Sequence, residues 1–370
     1  MPAASLPVFA IISFIVLLTA PAAFGAPPQG SSATPAQLAR DGQTALEEKR
    51  YADALAAFTA ASRLAPRDAT LLWLTGYSAY MLGQLTEARG PLEQALALNP
   101  QLTGASTVLA VVHYRLGRVA DAVRTLEAGL KFAPKDRDLL DLLARWRPEV
   151  AAQGNYEARA THFSVMFQGP SDDLTARRIL ELLEETYWRI GRMLNTYPTE
   201  AIPVVLFTQQ QFRTTEAPDW ATAYYDGRIK IPTDGALKDP AALKSALAHE
   251  FTHALVAQVG ASAAPRWLNE GLAELLESDD FTRIERVLAR YPRRLRLSQL
   301  EQPFNGLSPD DVTLAYAQSA FAVRRMVDLR GMSAIVSLLQ AIARGLPFAS
   351  AFQQSISMRY EEFSSMVERY

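Results

Sequence analysis

Small, bulky and proline positions recur with a period of 34 between residues 35 and 136. The three clearest columns are Ala54, Ala88 and Ala122; Phe58, Leu92 and Leu126; and Pro66, Pro100 and Pro134. Small residues let two antiparallel helices approach closely, bulky residues fill the space between them, and proline ends the second helix. The pattern predicts three helix–turn–helix units at residues 35–68, 69–102 and 103–136.

Further columns have the same period. Gly83 and Gly117 mark the turn inside the second and third units, and Lys49 holds that position in the first. Residues 138–147 predict a capping helix, and the small, polar residues 151–155 predict a domain boundary. These columns resemble the tetratricopeptide repeat. The resemblance implies an α-solenoid at 35–150 whose groove binds a peptide or partner protein. The alternative is that the solenoid is a spacer that only positions the next domain. We expect residues 35–147 to fold separately and to be dispensable for metal binding.

The hydrophobic pattern changes at residue 158. Residues 162–167 and 202–207 predict strands, residues 172–194 predict a long amphipathic helix, and residues 223–231 predict a hairpin that turns at Asp226-Gly227. From residue 240 onward the pattern is almost wholly helical. The predicted fold class is therefore mainly α: a repeat solenoid, then at 158–370 an α+β domain with a small sheet and a helical C-terminal subdomain.

The N-terminus has the character of an export signal. Residues 6–20 are apolar, and the small residues Ala23 and Gly25 suit cleavage after position 25. The alternative is an uncleaved membrane anchor, since residues 7–26 are just long enough to span a bilayer. We predict a signal peptide at 1–25, a linker at 26–34, and a periplasmic or secreted protein.

Composition narrows the function classes. The chain has 370 residues, 49% hydrophobic and 21% charged, which fits a globular protein of two domains. The net charge is −2 and no run of Lys or Arg exceeds two residues, so we expect no nucleic-acid partner. Cysteine is absent, which excludes disulfides, thiolate metal sites and cysteine nucleophiles.

The candidate chemistry starts in the helix predicted to begin at Asp239-Pro240 and to stop at Gly260. It contains the sequence HEFTH, in which His249 and His253 lie one turn apart on the same face and can bind one zinc ion. Glu250 lies beside the first histidine, where it can take a proton from an activated water.

A zinc ion held by two histidines needs a third protein ligand. Glu270 follows in the sequence WLNEGLAELLE and supplies the candidate. Glu274 lies four residues later on the same helical face. We expect it either to hydrogen-bond a ligand histidine or to be a surface carboxylate.

HEFTH followed by WLNEG resembles the gluzincin metallopeptidases, and the small bacterial peptidase MA-like branch in particular, over about residues 160–370. The resemblance implies a zincin-like domain and one zinc ion per chain. It carries the ligand roles to His249, His253 and Glu270, and the general-base role to Glu250.

Gluzincins of the aminopeptidase N type also use a tyrosine that stabilises the oxyanion. Tyr316, in the sequence YAQS, occupies a similar place, although Gln318 and Ser319 replace the lysine and glycine of that motif. Tyr224 and Tyr225 on the predicted hairpin are the competing candidates. The Gly-x-Met-Glu-Asn sequence that holds a free amine is absent, which disfavours an aminopeptidase.

Two functions are consistent with these features. One is an exported zinc metallopeptidase that hydrolyses peptide bonds, with repeats that bind a substrate or partner protein. The other is an envelope scaffold or assembly adaptor that works through its repeats and has little or no turnover. A membrane partner is expected only if the N-terminal segment stays uncleaved.

Overall fold

The computed structural model describes residues 33–152, 156–198, 200–213, 223–233, 238–259, 263–278 and 280–369, so the predicted signal peptide and most of the predicted linker lie outside the described residues. Three helix pairs and a final helix come first: α1 (Pro35–Glu47), α2 (Tyr51–Leu64), α3 (Ala69–Met81), α4 (Leu85–Leu98), α5 (Thr103–Arg115), α6 (Val119–Leu130) and α7 (Arg137–Ala152). Each pair falls within one predicted repeat, which confirms the solenoid. The predicted capping helix continues through Pro148.

The small and bulky columns pack as the period implies. A Cβ atom at Gly42 would lie 2.8 Å from the ring of Phe58, and one at Gly76 would lie 2.5 Å from Cγ of Leu92. Phe58 and Leu92 have no exposed surface. The glycines therefore set the spacing of each helix pair, because a side chain there would displace the bulky residue opposite.

The residues at the turn inside each repeat share a backbone conformation and also contact the second unit. Lys49, Gly83 and Gly117 all have φ near +60 to +75° (57°, 75° and 76°), a backbone conformation that glycine adopts without strain. These turns also face the second unit. A Cβ at Gly83 would lie 2.7 Å from the carbonyl oxygen of Gln258, and one at Gly117 would lie 3.2 Å from Cβ of Pro203. The solenoid thus lies with its turns along the α+β unit.

A five-stranded mixed sheet opens the second unit. Its strands are β1 (Tyr156–Arg159), β2 (Phe163–Phe167), β3 (Ile202–Phe207), β4 (Tyr224–Tyr225) and β5 (Ile229–Pro232), in the order β1-β2-β3-β5-β4. The pairs β2–β3 and β3–β5 are parallel, and the two outer pairs are antiparallel. β1 starts two residues before the predicted domain start at 158, so the sheet begins closer to α7 than the composition suggests.

Helices make up most of the remainder: α8 (Asp173–Leu194), α9 (Gln209–Arg213), α10 (Pro240–Gln258), α11 (Arg266–Glu277), α12 (Thr282–Arg290), α13 (Pro309–Arg330), α14 (Met332–Ala343), α15 (Phe348–Ile356) and α16 (Tyr360–Glu368). One hydrophobic core joins β2, β3 and β5 to α8, α10, α11 and α13. This architecture confirms the predicted fold class.

The described residues contain no single helix that is both long and apolar enough to cross a membrane. Two helices, α13 and α14, meet that test only together, and they are bent by 110° relative to each other.

Candidate metal centre

Helix α10 positions three of the predicted site residues. The Asp239 side chain accepts a hydrogen bond of 3.0 Å from the backbone N–H of Ala242, and Pro240 opens the helix, as the sequence predicts. The helix ends at Gln258, and Gly260 lies outside the described residues. The two imidazoles stand one turn apart, with ring centroids 4.8 Å from each other.

Helix α11 brings the third predicted ligand to the histidines. Oε2 of Glu270 lies 3.5 Å from Nε2 of His249 and 3.5 Å from Nε2 of His253. Donor atoms about 2.0–2.1 Å from one tetrahedral metal ion stand about 3.4 Å apart. Two imidazoles and a carboxylate at this separation therefore fit a single metal ion.

The other oxygen of Glu270 is neutralised by an arginine. Oε1 lies 2.6 Å from Nη2 of Arg266, one turn earlier on α11, and the glutamate is only 1% exposed. Burial alone would raise the pKa of Glu270, but the positive charges of His253 and Arg266 and hydrogen bonds to both histidines hold it well below the ordinary value. The carboxylate therefore stays ionised, as a metal ligand must.

The second ring nitrogen of each histidine has its own partner. Nδ1 of His253 lies 3.1 Å from Oδ1 of Asn269, and Nδ1 of His249 lies 3.3 Å from Oε2 of Glu277. These contacts fix which nitrogen faces Glu270. The supporting role expected of Glu274 falls to Glu277, because a Glu277 oxygen lies within hydrogen-bond distance of His249; both glutamates also pair with Arg283.

A second group of candidate ligands shares one histidine with the first: His249, Glu274 and Glu277. The guanidinium of Arg283 contacts both of its carboxylates, with Nη2 2.6 Å from Oε1 of Glu277. A cation there would have to compete with that arginine. In the set formed by His249, His253 and Glu270, Arg266 pairs with Oε1 of the glutamate, and Oε2 faces the two histidines. This set is therefore the better metal site.

Burial acts on the protonation of both His249 and Glu250, with different outcomes. Burial opposes the charged form of His249, but hydrogen bonds to Glu270 and Glu277 outweigh it and hold its pKa well above the ordinary value. A metal ion must displace that proton, so metal binding should weaken in acid. Glu250 is 8% exposed, and burial raises its pKa, while the charges of His249 and His253 and, to a smaller extent, the backbone N–H of Tyr225 partly offset the rise.

Helix α13 brings Tyr316 to the same place. Tyr316 and Arg266 are close enough to affect each other's pKa, and burial raises the pKa of this phenol, as does the charge of Glu270. The adjacent departures from the aminopeptidase motif have packing roles. The Gln318 side chain bonds both the N–H and the carbonyl of Leu295, and Gly271 of α11 lies directly against the backbone of Ser319.

The hairpin tyrosines separate into two environments. Tyr224 is near enough to Arg266 to influence its pKa. The hydroxyl of Tyr225 instead raises the pKa of Arg115 of α5, in the repeat domain. Successive strand residues face opposite sides, so of the two hairpin tyrosines Tyr224 is the one on the side of Arg266 and Tyr316.

Sequence reasoning missed three supporting residues. Asn269 precedes Glu270 inside the WLNEG motif, and Glu277 lies seven positions after Glu270, two helical turns along the same face. Arg266 lies one turn before Glu270. The spacing indicates in each case that the residue lies near Glu270 on α11. Spacing along a helix does not show, however, which of several carboxylates contacts a histidine.

Comparison with known families agrees with both parts of the chain. Residues 219–363 match the family model of the Peptidase MA superfamily, and residues 40–103 and 79–145 match models of the tetratricopeptide repeat. The chain thus carries N-terminal tetratricopeptide repeats followed by an MA-type peptidase domain, which confirms both resemblances found in the sequence.

Similarity to individual proteins is limited. The chain is 27% identical over 104 residues to the Hsp70-Hsp90 organizing protein of Triticum aestivum, covering 28% of this chain and 18% of that protein. The first TPR domain of the human RPAP3 protein has a TM-score of 0.30 at 19% identity, covering 32% of this chain and 93% of that chain. The Arabidopsis OM64 TPR domain has a TM-score of 0.30 at 17% identity, covering 31% and 96%. The likenesses to solved structures concern fold alone.

Proposed function

We propose that this protein is a zinc-dependent peptidase that hydrolyses peptide bonds, with a repeat domain that binds a substrate or partner protein. The observation that carries the proposal is the convergence of His249, His253 and Glu270, with Glu250 beside them, inside the segment that matches the Peptidase MA superfamily. A scaffold would have no need of this constellation.

The donor set favours zinc, at one ion per chain. Two imidazoles and one carboxylate are a common set of zinc ligands, and they leave a fourth position for water or substrate. Zinc bound there would polarise a carbonyl group and lower the pKa of a water molecule toward about 7. Asn269 and Glu277 would orient the two imidazoles, and Arg266 would balance the charge of Glu270.

Glu250 is the proposed proton carrier. It is buried, its pKa is raised, and the backbone N–H of Tyr225 holds it in place. A carboxylate with a raised pKa is a better base near neutral pH than an ordinary glutamate. It would accept a proton from the attacking water and pass it to the leaving amine.

Tyr316 is the proposed oxyanion donor. The Tyr316 hydroxyl lies close enough to Arg266 and Glu270 to interact with both charges, so it stands at the metal centre, where it would donate a hydrogen bond to the oxygen of a substrate carbonyl. The raised pKa of the phenol keeps it protonated, which a donor requires. Developing negative charge on the attacked carbonyl would be stabilised by this hydrogen bond.

Export belongs to the same proposal. Its support is the apolar run at residues 6–20 and the small residues that follow, all outside the described part of the structure. The protein would be periplasmic or secreted after cleavage near residue 25, and membrane-attached only if that segment stayed uncleaved.

The decisive experiment combines metal analysis with a peptide-library cleavage assay on the purified protein. We expect one zinc per chain and cleavage by the wild type. Glu250→Gln should retain zinc and lose about 10²–10⁴-fold in kcat, since the amide cannot accept a proton. Glu285→Gln is the matched control because this glutamate is exposed on α12, and it should leave kcat unchanged.

Two results would contradict the proposal. A zinc-loaded wild type that cleaves nothing in the library would favour the scaffold function. A Glu250→Gln variant with wild-type turnover would remove this glutamate from the mechanism.

Cleavage of N-terminally blocked peptides is also expected, because the chain lacks the aminopeptidase amine-binding sequence.

A further inference from the structure

The repeat domain reaches the catalytic hairpin through two adjacent repeat columns. Tyr80 and Tyr114 are 34 residues apart, and so are Arg115 and Glu149. They lie toward the C-terminal ends of α3, α5 and α7, the first helix of each successive unit. This part of the repeats is occupied by the chain's own β4–β5 hairpin.

One half of the contact is a buried ion-pair cluster. Glu149 receives Nη2 of Arg228 on Oε2 and Nζ of Lys230 on Oε1, the latter at 2.7 Å. The Lys230 Nζ also lies 2.7 Å from Oδ2 of Asp226 at the hairpin turn, and the Tyr114 hydroxyl lies 3.0 Å from that oxygen. Arg228 and Lys230 are 1% and 2% exposed. The cluster therefore fixes the base and turn of the hairpin.

The other half is centred on Arg115. Its guanidinium lies 5.9 Å from the centre of the Tyr80 ring, and although burial opposes its charge, the hydroxyls of Tyr225 and Tyr80 raise its pKa. Gly227 lies over the same side chain, where a Cβ would stand 2.7 Å from Cγ of Arg115, and its φ of 115° itself favours glycine. The arginine thus joins two repeats to the strand residue that precedes the turn.

Tyr225 connects this contact to the catalytic base. Its hydroxyl is close enough to Arg115 to raise the pKa of that guanidinium, and its backbone N–H is close enough to Glu250 to lower the pKa of that carboxyl. Among the described residues, β4 spans Tyr224 and Tyr225, pairs with β5 and stands at the edge of the sheet. Tyr225 packs against the core of its own domain, and the hairpin is also held from the repeat side by Arg115 and Glu149. The position of β4 beside Glu250 therefore depends on contacts from both domains.

We propose that Arg115 is a positioning residue for the reaction: through Tyr225 it holds the β4 backbone against Glu250, so the repeat domain is part of the catalytic apparatus. The inference rests on the proposed function and goes beyond it. The repeats would serve turnover of a short peptide that never touches their groove, and a partner protein would have to bind them elsewhere.

The test uses the full chain and three variants. Arg115→Ala removes the guanidinium, Tyr225→Phe removes only the hydroxyl it bonds, and Arg115→Lys restores one donor. Arg124→Ala, on α6 of the same repeat and paired with Asp121 at an exposed position, is the matched control. The readouts are zinc per chain, kcat and KM for a short peptide, and hydrogen–deuterium exchange of residues 223–232 and of α10.

For Arg115→Ala and Tyr225→Phe we expect one zinc per chain, KM within about twofold, and kcat lower by about 10–100-fold, the usual cost of losing a supporting residue. Amide exchange in 223–232 should rise at least tenfold while α10 stays protected. Arg115→Lys should recover part of both effects, and Arg124→Ala should match the wild type. Tyr225→Phe keeps the test decisive if Arg115→Ala fails to fold.

Unchanged hairpin exchange in both variants would overturn the proposal, and so would faster exchange with wild-type kcat. If the zinc-loaded wild type cleaves nothing, the proposed function fails and a role in catalysis fails with it. The exchange comparison still decides, in that case, whether Arg115 positions the hairpin.

Discussion

Two clusters of buried charge lie on opposite sides of the β4 strand, and their balance differs. In the ion-pair cluster at the junction with the repeats, Glu149 and Asp226 face Arg228 and Lys230, two charges of each sign, and the neighbouring Arg115 lies beside tyrosines instead of joining the cluster. At the candidate metal centre four carboxylates face two guanidinium groups, which leaves two negative charges in excess when the imidazoles are neutral. The carboxylates belong to Glu250, Glu270, Glu274 and Glu277, and the guanidinium groups to Arg266 and Arg283.

This difference separates a structural cluster from a binding one. Burying charge costs several kcal/mol per ion unless opposite charge and hydrogen bonds compensate it. The junction compensates internally, so removing any member leaves the others stranded. The metal centre matches the charge of a divalent cation instead, so its balance depends on a bound ion. Loss of a carboxylate should therefore affect folding at the junction and metal binding at the centre.

The largest effect is expected for Glu270→Gln. The amide keeps the volume of the side chain but loses the charge that lies between both imidazoles, so zinc affinity should fall by more than the 10–100-fold typical of a supporting residue. Inductively coupled plasma measurement after dialysis against a zinc buffer should show near-empty protein, and peptide cleavage should disappear with the metal.

The matched control for this change is Glu274→Gln. This carboxylate belongs to the alternative ligand set and pairs with Arg283, so its loss should leave zinc bound. The opposite outcome, zinc lost with Glu274→Gln and kept with Glu270→Gln, would move the metal to the second set.

The next largest effect is expected for Glu149→Ala. It leaves Arg228 and Lys230 buried without their shared partner, which should cost about 3–5 kcal/mol of unfolding free energy. Urea unfolding measures this change. Glu127→Ala, which breaks an exposed pair with Arg147, should cost less than about 1 kcal/mol. Equal, small losses in both variants would mean that the junction is no more than surface contact.

The repeat domain shows how much of the fold can be predicted from the sequence. A period of 34 set by columns such as Phe58 and Leu92 reports packing within and between neighbouring helices, so the solenoid could be predicted from the chain alone. The same period did not reveal what the solenoid contacts. The periodic pattern does not single out Tyr114, Arg115 or Glu149. The hydrogen-bond and ion-pair partners of Tyr114 and Glu149 in the second domain are 79 to 114 residues away along the chain. The sequence predicts independent folding of residues 35–147 because the repeat columns complete their own core. Contacts between domains leave no periodic trace, and independent folding stays a prediction.

The site divides in the same way. HEFTH is a local pattern, and its two histidines could be placed on one face by helix geometry. Glu270 was found through a second motif, and the structure places it against both imidazoles. The roles of Glu277 and Tyr225 depend on how α11 and β4 lie against α10. That arrangement comes from tertiary packing, such as Gly271 against the backbone of Ser319, which no spacing along the chain encodes.

The third of these effects, and the smallest of the three, distinguishes the two tyrosines near Arg266. Tyr316→Phe removes the proposed oxyanion donor, and loss of such a donor costs about 2.7–4 kcal/mol in the transition state, or 10²–10³-fold in kcat. KM and zinc content should barely change, because the hydroxyl acts on charge that develops during the reaction. Tyr224→Phe is the control, since Tyr316 affects the pKa of Arg266 more strongly than Tyr224 does, and Glu270 in turn raises the pKa of Tyr316. A large loss of kcat in Tyr224→Phe with none in Tyr316→Phe would assign the oxyanion to the hairpin, and the catalytic tyrosine would then come from the strand that the repeats hold in place.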